Sequence, residues 1–159
     1  MNTNTLMAQL DTALQQPAVQ EALHGALAQA RASLAQSDDE WHSIPVAMQV
    51  YGDNLPDAIR SSRVVVFRAG ASGRYERHPN SEQFVCVVAG AVDIQTLDDG
   101  RWKANPKSAD AADVSTRWSY VPQDVWHHPV VGGDSGCEIV AFHTVTADEL
   151  IDEHGEPEA

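Results

Sequence analysis

The sequence predicts a mainly β fold, an antiparallel barrel or sandwich preceded by two N-terminal α-helices, and three observations carry that expectation. Short runs of strand length follow one another from Trp41 to Val145, separated by turn residues such as Asp98-Asp99-Gly100 and the glycine-rich stretch Gly132 to Gly136. Two of these runs, inside Arg63 to Arg68 and from Phe84 to Ala89, are apolar on both faces, so each must be covered on both sides. The beginning of the chain has a different period: Leu6, Met7, Leu10 and Leu14, then Val19, Leu23, Ala26, Leu27, Ala30 and Leu34, recur at three and four. Such amphipathic helices need a partner surface, and the outer side of the doubly apolar strands offers one.

In chain order, the helical pattern runs from about Thr5 to Gln36, with Pro17 placed where a first helical turn tolerates it, and ends at Ser37-Asp38-Asp39-Glu40. Ile44, Val46, Met48 and Val50 alternate, which predicts a first strand over Trp41 to Tyr51. Gly52 to Pro56 is turn chemistry, and Arg63 to Arg68 is the next strand. After Gly90, Ala91 to Leu97 reads as a strand closed by the Asp98-Asp99-Gly100 hairpin signal. Arg101 to Val114 is polar and is expected to be an irregular excursion. Arg117 to Val121, Val125 to Val131 and Cys137 to Val145 resume the pattern, with a turn at Pro122-Gln123-Asp124. A helical turn is expected over Ala147 to Glu153, with fraying beyond it. The organisation is thus a helical extension over residues 1–40, a barrel over 41–147 and an acidic tail over 148–159.

Composition narrows the function. At 159 residues the chain fits one domain with a real core, burying about two thirds of its unfolded surface. Its net charge of -13 and lack of a Lys/Arg run argue against nucleic acid or an anionic membrane as partner, since both demand a basic patch. No stretch approaches the roughly 20 apolar residues of a membrane span, and the uncharged start is unlike a signal peptide. Cys86 and Cys137 sit in apolar runs without CxxC spacing, which reads as buried free thiols in a reducing compartment. The protein is therefore read as soluble and cytoplasmic.

The chemistry concentrates between Gly70 and Gly90. Glu76 and His78 are two residues apart and share one face of an extended chain. Gln83 shares the parity of Val85 and Val87, and a second segment, Tyr120 to Pro129, adds His127 and, on the opposite face, His128. Two such segments folded together make a small metal site.

These residues resemble the cupin superfamily. Its first motif, G-x5-H-x-H-x(3,4)-E-x6-G, lies over Gly70, Glu76, His78, Gln83 and Gly90 with every spacing kept, and part of its second lies over Pro122, Asp124 and His127. Glu76 stands where the family has its first histidine, Gln83 where it has its glutamate, and Asp124 where it has a glycine. Val131 stands in place of the terminal asparagine, and Glu82 is the acidic ligand if the shorter spacing is used. The resemblance implies a double-stranded antiparallel β-helix, a jelly-roll barrel, and one divalent metal ion held by Glu76, His78, His127 and Gln83. A two-histidine, one-carboxylate set suits Fe(II) with open positions for substrate and O2, while Zn, Ni or Mn remain alternatives. Gln83 is a poor ligand in its own right and can act as a weak fourth one or as a hydrogen-bond donor.

Arg74 shares the parity of Glu76 and His78 and is a candidate contact for an anionic substrate. Arg74 and Arg77 also flank Glu76 and could hold it as a plain ion pair. His143, in the last strand run, is a candidate acid or base or a packed core histidine. Trp102, Trp118 and Trp126 read as packing residues. The resulting expectation is a metal-dependent, dioxygenase-like enzyme of a small polar or anionic molecule. The rivals are a lyase or isomerase of a small acid and a non-catalytic binding or sensor barrel. The resemblance also implies a homodimer.

Overall fold

The structure, a computed structural model, describes residues 2–157. Two helices open the chain, α1 (Thr3–Leu14) and α2 (Pro17–Ala35). Asn2 caps the first by accepting from the Thr5 amide at 2.8 Å, and Pro17 begins the second. Strands β1 (Trp41–Val46), β2 (Ser61–Phe67), β3 (Glu76–Arg77), β4 (Gln83–Ala89), β5 (Ala91–Asp98), β6 (Arg101–Lys103) and β7 (Pro106–Ser108) follow. A short helix α3 (Val114–Arg117) then leads into β8 (Trp118–Val121), β9 (His127–Val130), β10 (Cys137–His143) and β11 (Glu153–His154). One sheet runs β1-β2-β10-β4-β8; the other runs β11-β3-β9-β5-β6, with β7 alongside β5. Among the described residues every strand pairing is antiparallel, and the two sheets close into the expected jelly-roll barrel.

Strand parity divides the core in two. Val64 and Val66 of β2, Phe84 and Cys86 of β4, and Val140 and Phe142 of β10 point outward and pack with Leu6, Leu10, Leu23 and Leu27 of the helices. Val65, Phe67, Val85, Val87, Ile139 and Ala141 point inward and meet Val92 and Ile94 of the opposite sheet. The strands apolar on both faces are thus covered on both faces. Burying each leucine of the helical stripe contributes about 1.5–3 kcal/mol, which is why the extension adheres to the barrel. Asp11 adds a polar latch, accepting from Arg117 Nη2 at 2.9 Å and Trp118 Nε1 at 2.8 Å. At the β4–β5 corner Gly90 adopts φ +75°, and any side chain there would strike the Gly136 carbonyl.

Three segments differ from the sequence expectation. The first strand ends at Val46, and Met48–Tyr51 is a 3-10 turn that carries Tyr51 into the core, where its hydroxyl meets Ser62 Oγ at 2.7 Å. The polar stretch after Gly100 is not irregular at its start: Asp99 (φ 50°) and Gly100 (φ 72°) form the two-residue turn of a β5–β6 hairpin, and β7 pairs further along the same edge of β5, opposite β9. Backbone pairing at an exposed edge needs no apolar side chains, so composition gave no sign of it. The acidic tail also does not fray at residue 153. After a turn at Thr146 to Leu150, β11 pairs with β3, and Asn80 holds it by donating to the Glu149 carbonyl at 2.7 Å and accepting from the Ile151 amide at 3.1 Å. The fraying expected further on falls partly on residues 158–159, outside the described range.

Candidate metal centre

The β3–β9 ladder sets Glu76 directly opposite His127, joining residues far apart in sequence. His78 follows on the same side of the chain, ahead of the Pro79-Asn80-Ser81 turn. His127 Nε2 lies 3.2 Å and His78 Nε2 3.8 Å from Glu76 Oε1, and one potential ligand atom from each of the three residues falls within 4.8 Å of the others. Both imidazoles are almost fully buried.

Hydrogen bonding fixes which nitrogens face the centre. His127 Nδ1 lies 3.0 Å from the Val125 carbonyl, which can only accept, so Nδ1 carries a proton, and in the neutral ring Nε2 then presents its lone pair. His78 Nδ1 lies 2.9 Å from Asp152 Oδ1 and 3.3 Å from the Ile151 carbonyl, both acceptors, so its Nε2 is likewise a lone pair. With both imidazoles neutral, two nitrogen lone pairs and a carboxylate oxygen converge with no donor among the three. Such a cluster needs a positive charge at its centre, a proton on His127 or a metal ion, and the donor set is one that first-row divalent ions accept. Where the imidazoles carry that positive charge as protons, burial raises the Glu76 pKa, but the hydrogen bond from His127 and the charges of His127, Arg63 and His78 outweigh it and hold it at about 2. The group is ionised and ready to bind a cation.

Gln83 stands on β4 beside this cluster, with its amide nitrogen 3.3 Å from His78 Nε2 and 3.2 Å from His143 Nε2. The amide bridges two imidazoles, and its orientation is set by that network. His143 lies behind Gln83 and does not line the cavity; burial, with Arg63 and His78 nearby, pushes its pKa down to about 2, so it is neutral. Arg74 is exposed at the cavity mouth, its guanidinium 5.5 Å above the Trp41 ring. Glu82, on the other parity, accepts from the Tyr120 hydroxyl at 3.0 Å. Asp124, at the family's glycine position, adopts φ 66°, a left-handed conformation that aspartate tolerates better than most side chains. His128 faces away from the centre, against Tyr75 and Trp102.

Neither flanking arginine holds Glu76. Arg77 pairs with Glu153 at 2.6 Å and Asp124 at 3.4 Å, and the guanidinium beside Glu76 is that of Arg63, at 3.9 Å. Arg63 and Asp152 are the two residues of the site that sequence reasoning missed. Arg63 shares the inward parity of Val65 and Phe67, a signal present in the sequence. Asp152 arrives from the tail and carries no local signal; its hydrogen bond to His78 holds its pKa below the usual carboxylate value.

All of this opens into a cavity of about 540 Å³, walled by apolar residues such as Val85, Ile94 and Ile139 and reached past Trp41. No protein-family profile and no curated protein matches the sequence. Solved structures do match. An oxalate oxidase in complex with the substrate analogue glycolate superposes with a TM-score of 0.56 at 12% identity, over 72% of this chain and 56% of that one. Oxalate decarboxylase from Bacillus subtilis superposes with a TM-score of 0.57 at 17% identity, over 74% of this chain and 28% of that one. The fold is that of a cupin. The chain spans about half the length of the oxidase and under a third of the decarboxylase, and at such identities the likeness is one of fold. Among the described residues, no helix of this cupin barrel is long and apolar enough to cross a membrane.

Proposed function

We propose that this chain is a metal-dependent cupin enzyme acting on a small polar or anionic molecule, with Glu76, His78 and His127 as metal ligands and oxygenation as the leading reaction class. The observation that carries the reading is the convergence of two imidazoles and an ionised carboxylate within 4.8 Å, at the edge of the cavity. A bound divalent ion supplies Lewis acidity there and, if it is iron, the means to activate O2.

The chain's own residues do the rest. Asp152 and the Val125 carbonyl keep both imidazole Nε2 atoms turned inward. With His78 Nε2 given over to the metal, the Gln83 amide is released from that contact to donate toward a bound water or a substrate oxygen. Fe(II) is favoured by the ligand set, with Mn, Zn and Ni as alternatives. A lyase or isomerase of a small acid is the second reading, supported by a decarboxylase among the structural neighbours. Two buried free thiols, Cys86 and Cys137, support a reducing, cytoplasmic setting, and a homodimer is the proposed assembly.

The test is metal content after purification without added metal, followed by O2 consumption of the Fe(II)-loaded protein with small thiols, diols, keto acids, glycolate and oxalate. One metal per chain, lost in both His78→Ala and His127→Ala, is the expected result. A fully stable protein that takes up no divalent ion overturns the proposal.

A further inference from the structure

Arg63 is the least satisfied polar group of the cavity. Its side chain is mostly buried, yet its Nε is enclosed with no hydrogen-bond partner among the described residues. Its other two nitrogens lie 3.9 Å from Glu76 and 3.6 Å from Asp152, contacts of charge that are too long for hydrogen bonds. A guanidinium offers five donors in a planar fork, and leaving them unpaired in a partly dry wall is costly. Arg117, by comparison, spends its donors on Asp11 and on the carbonyls of Ala111 and Ala112. The geometry around Arg63 is therefore short of one acceptor.

Charge leads to the same conclusion. The Asp, Glu and Arg side chains of the site that are no more than a third exposed are Glu76, Asp152 and Arg63. Two carboxylates against one guanidinium leave the pocket with one negative charge while both histidines are neutral, as metal ligation requires. A divalent ion turns this into one positive charge. It also takes Glu76 as its ligand and so removes one of Arg63's two counterions. The carboxylates of Asp38, Asp39 and Glu40 at the mouth are exposed, and water screens them.

We infer that the metal-loaded site takes a small monoanionic carboxylate, with Arg63 rather than Arg74 as the group that receives it. The inference rests on the metal reading above and narrows its substrate class. One carboxylate supplies both what the site lacks, acceptor oxygens for the fork and one compensating charge. The cavity, at about 540 Å³, holds a small molecule beyond that group together with the metal and its waters. Arg63 binds through its own N–H groups and, standing beside Glu76, holds the ligand next to the metal.

The experiment is calorimetric titration of the full chain, apo and Zn(II)-loaded, with glycolate and with its uncharged isostere glycolamide, in the native protein and in Arg63→Gln and Arg63→Lys. Glycolate is expected to bind the loaded protein at least tenfold tighter than glycolamide and to bind the apo protein at least tenfold more weakly than the loaded one. Arg63→Gln should lose at least tenfold in glycolate affinity while its Zn(II) affinity is kept or raised, and Arg63→Lys should recover part of the loss. A native protein that takes no metal overturns the metal reading and this inference with it. A protein that takes metal but binds glycolate no better than glycolamide, or equally well in Arg63→Gln, overturns the inference alone. If Arg63→Gln proves unfolded by circular dichroism, Arg63→Lys with unchanged glycolate affinity overturns it as well.

Discussion

The two faces of strand β4 are built from neighbouring residues and serve opposite ends. Phe84 and Cys86 face outward into a mainly apolar layer with α1 and α2. Gln83, one residue away, faces inward with Val85 and borders a wall of histidines and charged groups with an open cavity in front of it. The same alternation operates on β10, where Phe142 belongs to the helix layer and His143 to the polar cluster. The outer face spends its residues on stability, and that surplus is what lets the inner face hold a buried cluster of imidazoles and carboxylates and an Arg63 Nε without a hydrogen-bond partner.

Substitutions on the two faces should separate these roles. Phe142→Ala removes a side chain of zero exposure from the helix layer and should cost about 3–5 kcal/mol of unfolding free energy in a denaturant titration, with metal affinity unchanged in the surviving folded protein. His127→Ala, on the inner face, should show the reverse pattern. Its metal affinity should fall well beyond the roughly 10–100-fold that loss of an outer partner costs, with little change in the stability of the metal-free chain. Equal stability losses in both variants would erase the distinction.

Legibility from sequence follows the same division. The outer face could be read in full, because helical stripes and doubly apolar strands are periodic and repeat the same statement many times. The inner face was legible only where parity and spacing coincide. Glu76 and His78 stand two apart, His127 falls at a matching position in a second segment, and Gln83 shares its face with Val85. Arg63 was overlooked because a charged residue at the head of an apolar strand looks like a solvated end, and β6 and β7 because edge strands need no pattern. Asp152 could not be found: it meets His78 across a separation of 74 positions through a pairing of two residues each on β3 and β11.

That contact gives the next test, of intermediate size. Asp152→Asn keeps the shape but weakens the acceptor that orients His78, so metal affinity should drop by about 10–100-fold while metal-free stability stays near native. Asp152→Glu should restore part of it if reach suffices. An Asp152→Asn protein with native affinity would reduce the tail to packing.

The smallest effect concerns the thiols, one on each face. Burial, the first cause in both, pushes Cys86 and Cys137 up to about 12, so neither should react with a thiol reagent at pH 8 until the chain unfolds. Because the folded values lie above the unfolded value of 9.0, their contribution to stability is complete below about pH 9 and is lost as pH rises toward 12. Alkaline denaturation curves should therefore steepen above pH 9 in the native protein and less so in Cys86→Ala. A rapid native-state reaction of either thiol at pH 8 would contradict the burial assigned to both.

The Asp152–His78 contact also bears on how the molecule reaches its folded form. None of the groups around the centre is close in sequence to all the others, and the tail residue must cross nearly half the chain to reach its partner. Such non-local contacts are costly in loop entropy and form late. The helical layer and the β5–β6 hairpin can organise from neighbouring residues, whereas the centre exists only once the barrel has closed and β11 has docked. An ion seated there would thus act chiefly by slowing the reopening of a finished structure, contributing little to the rate at which that structure first assembles.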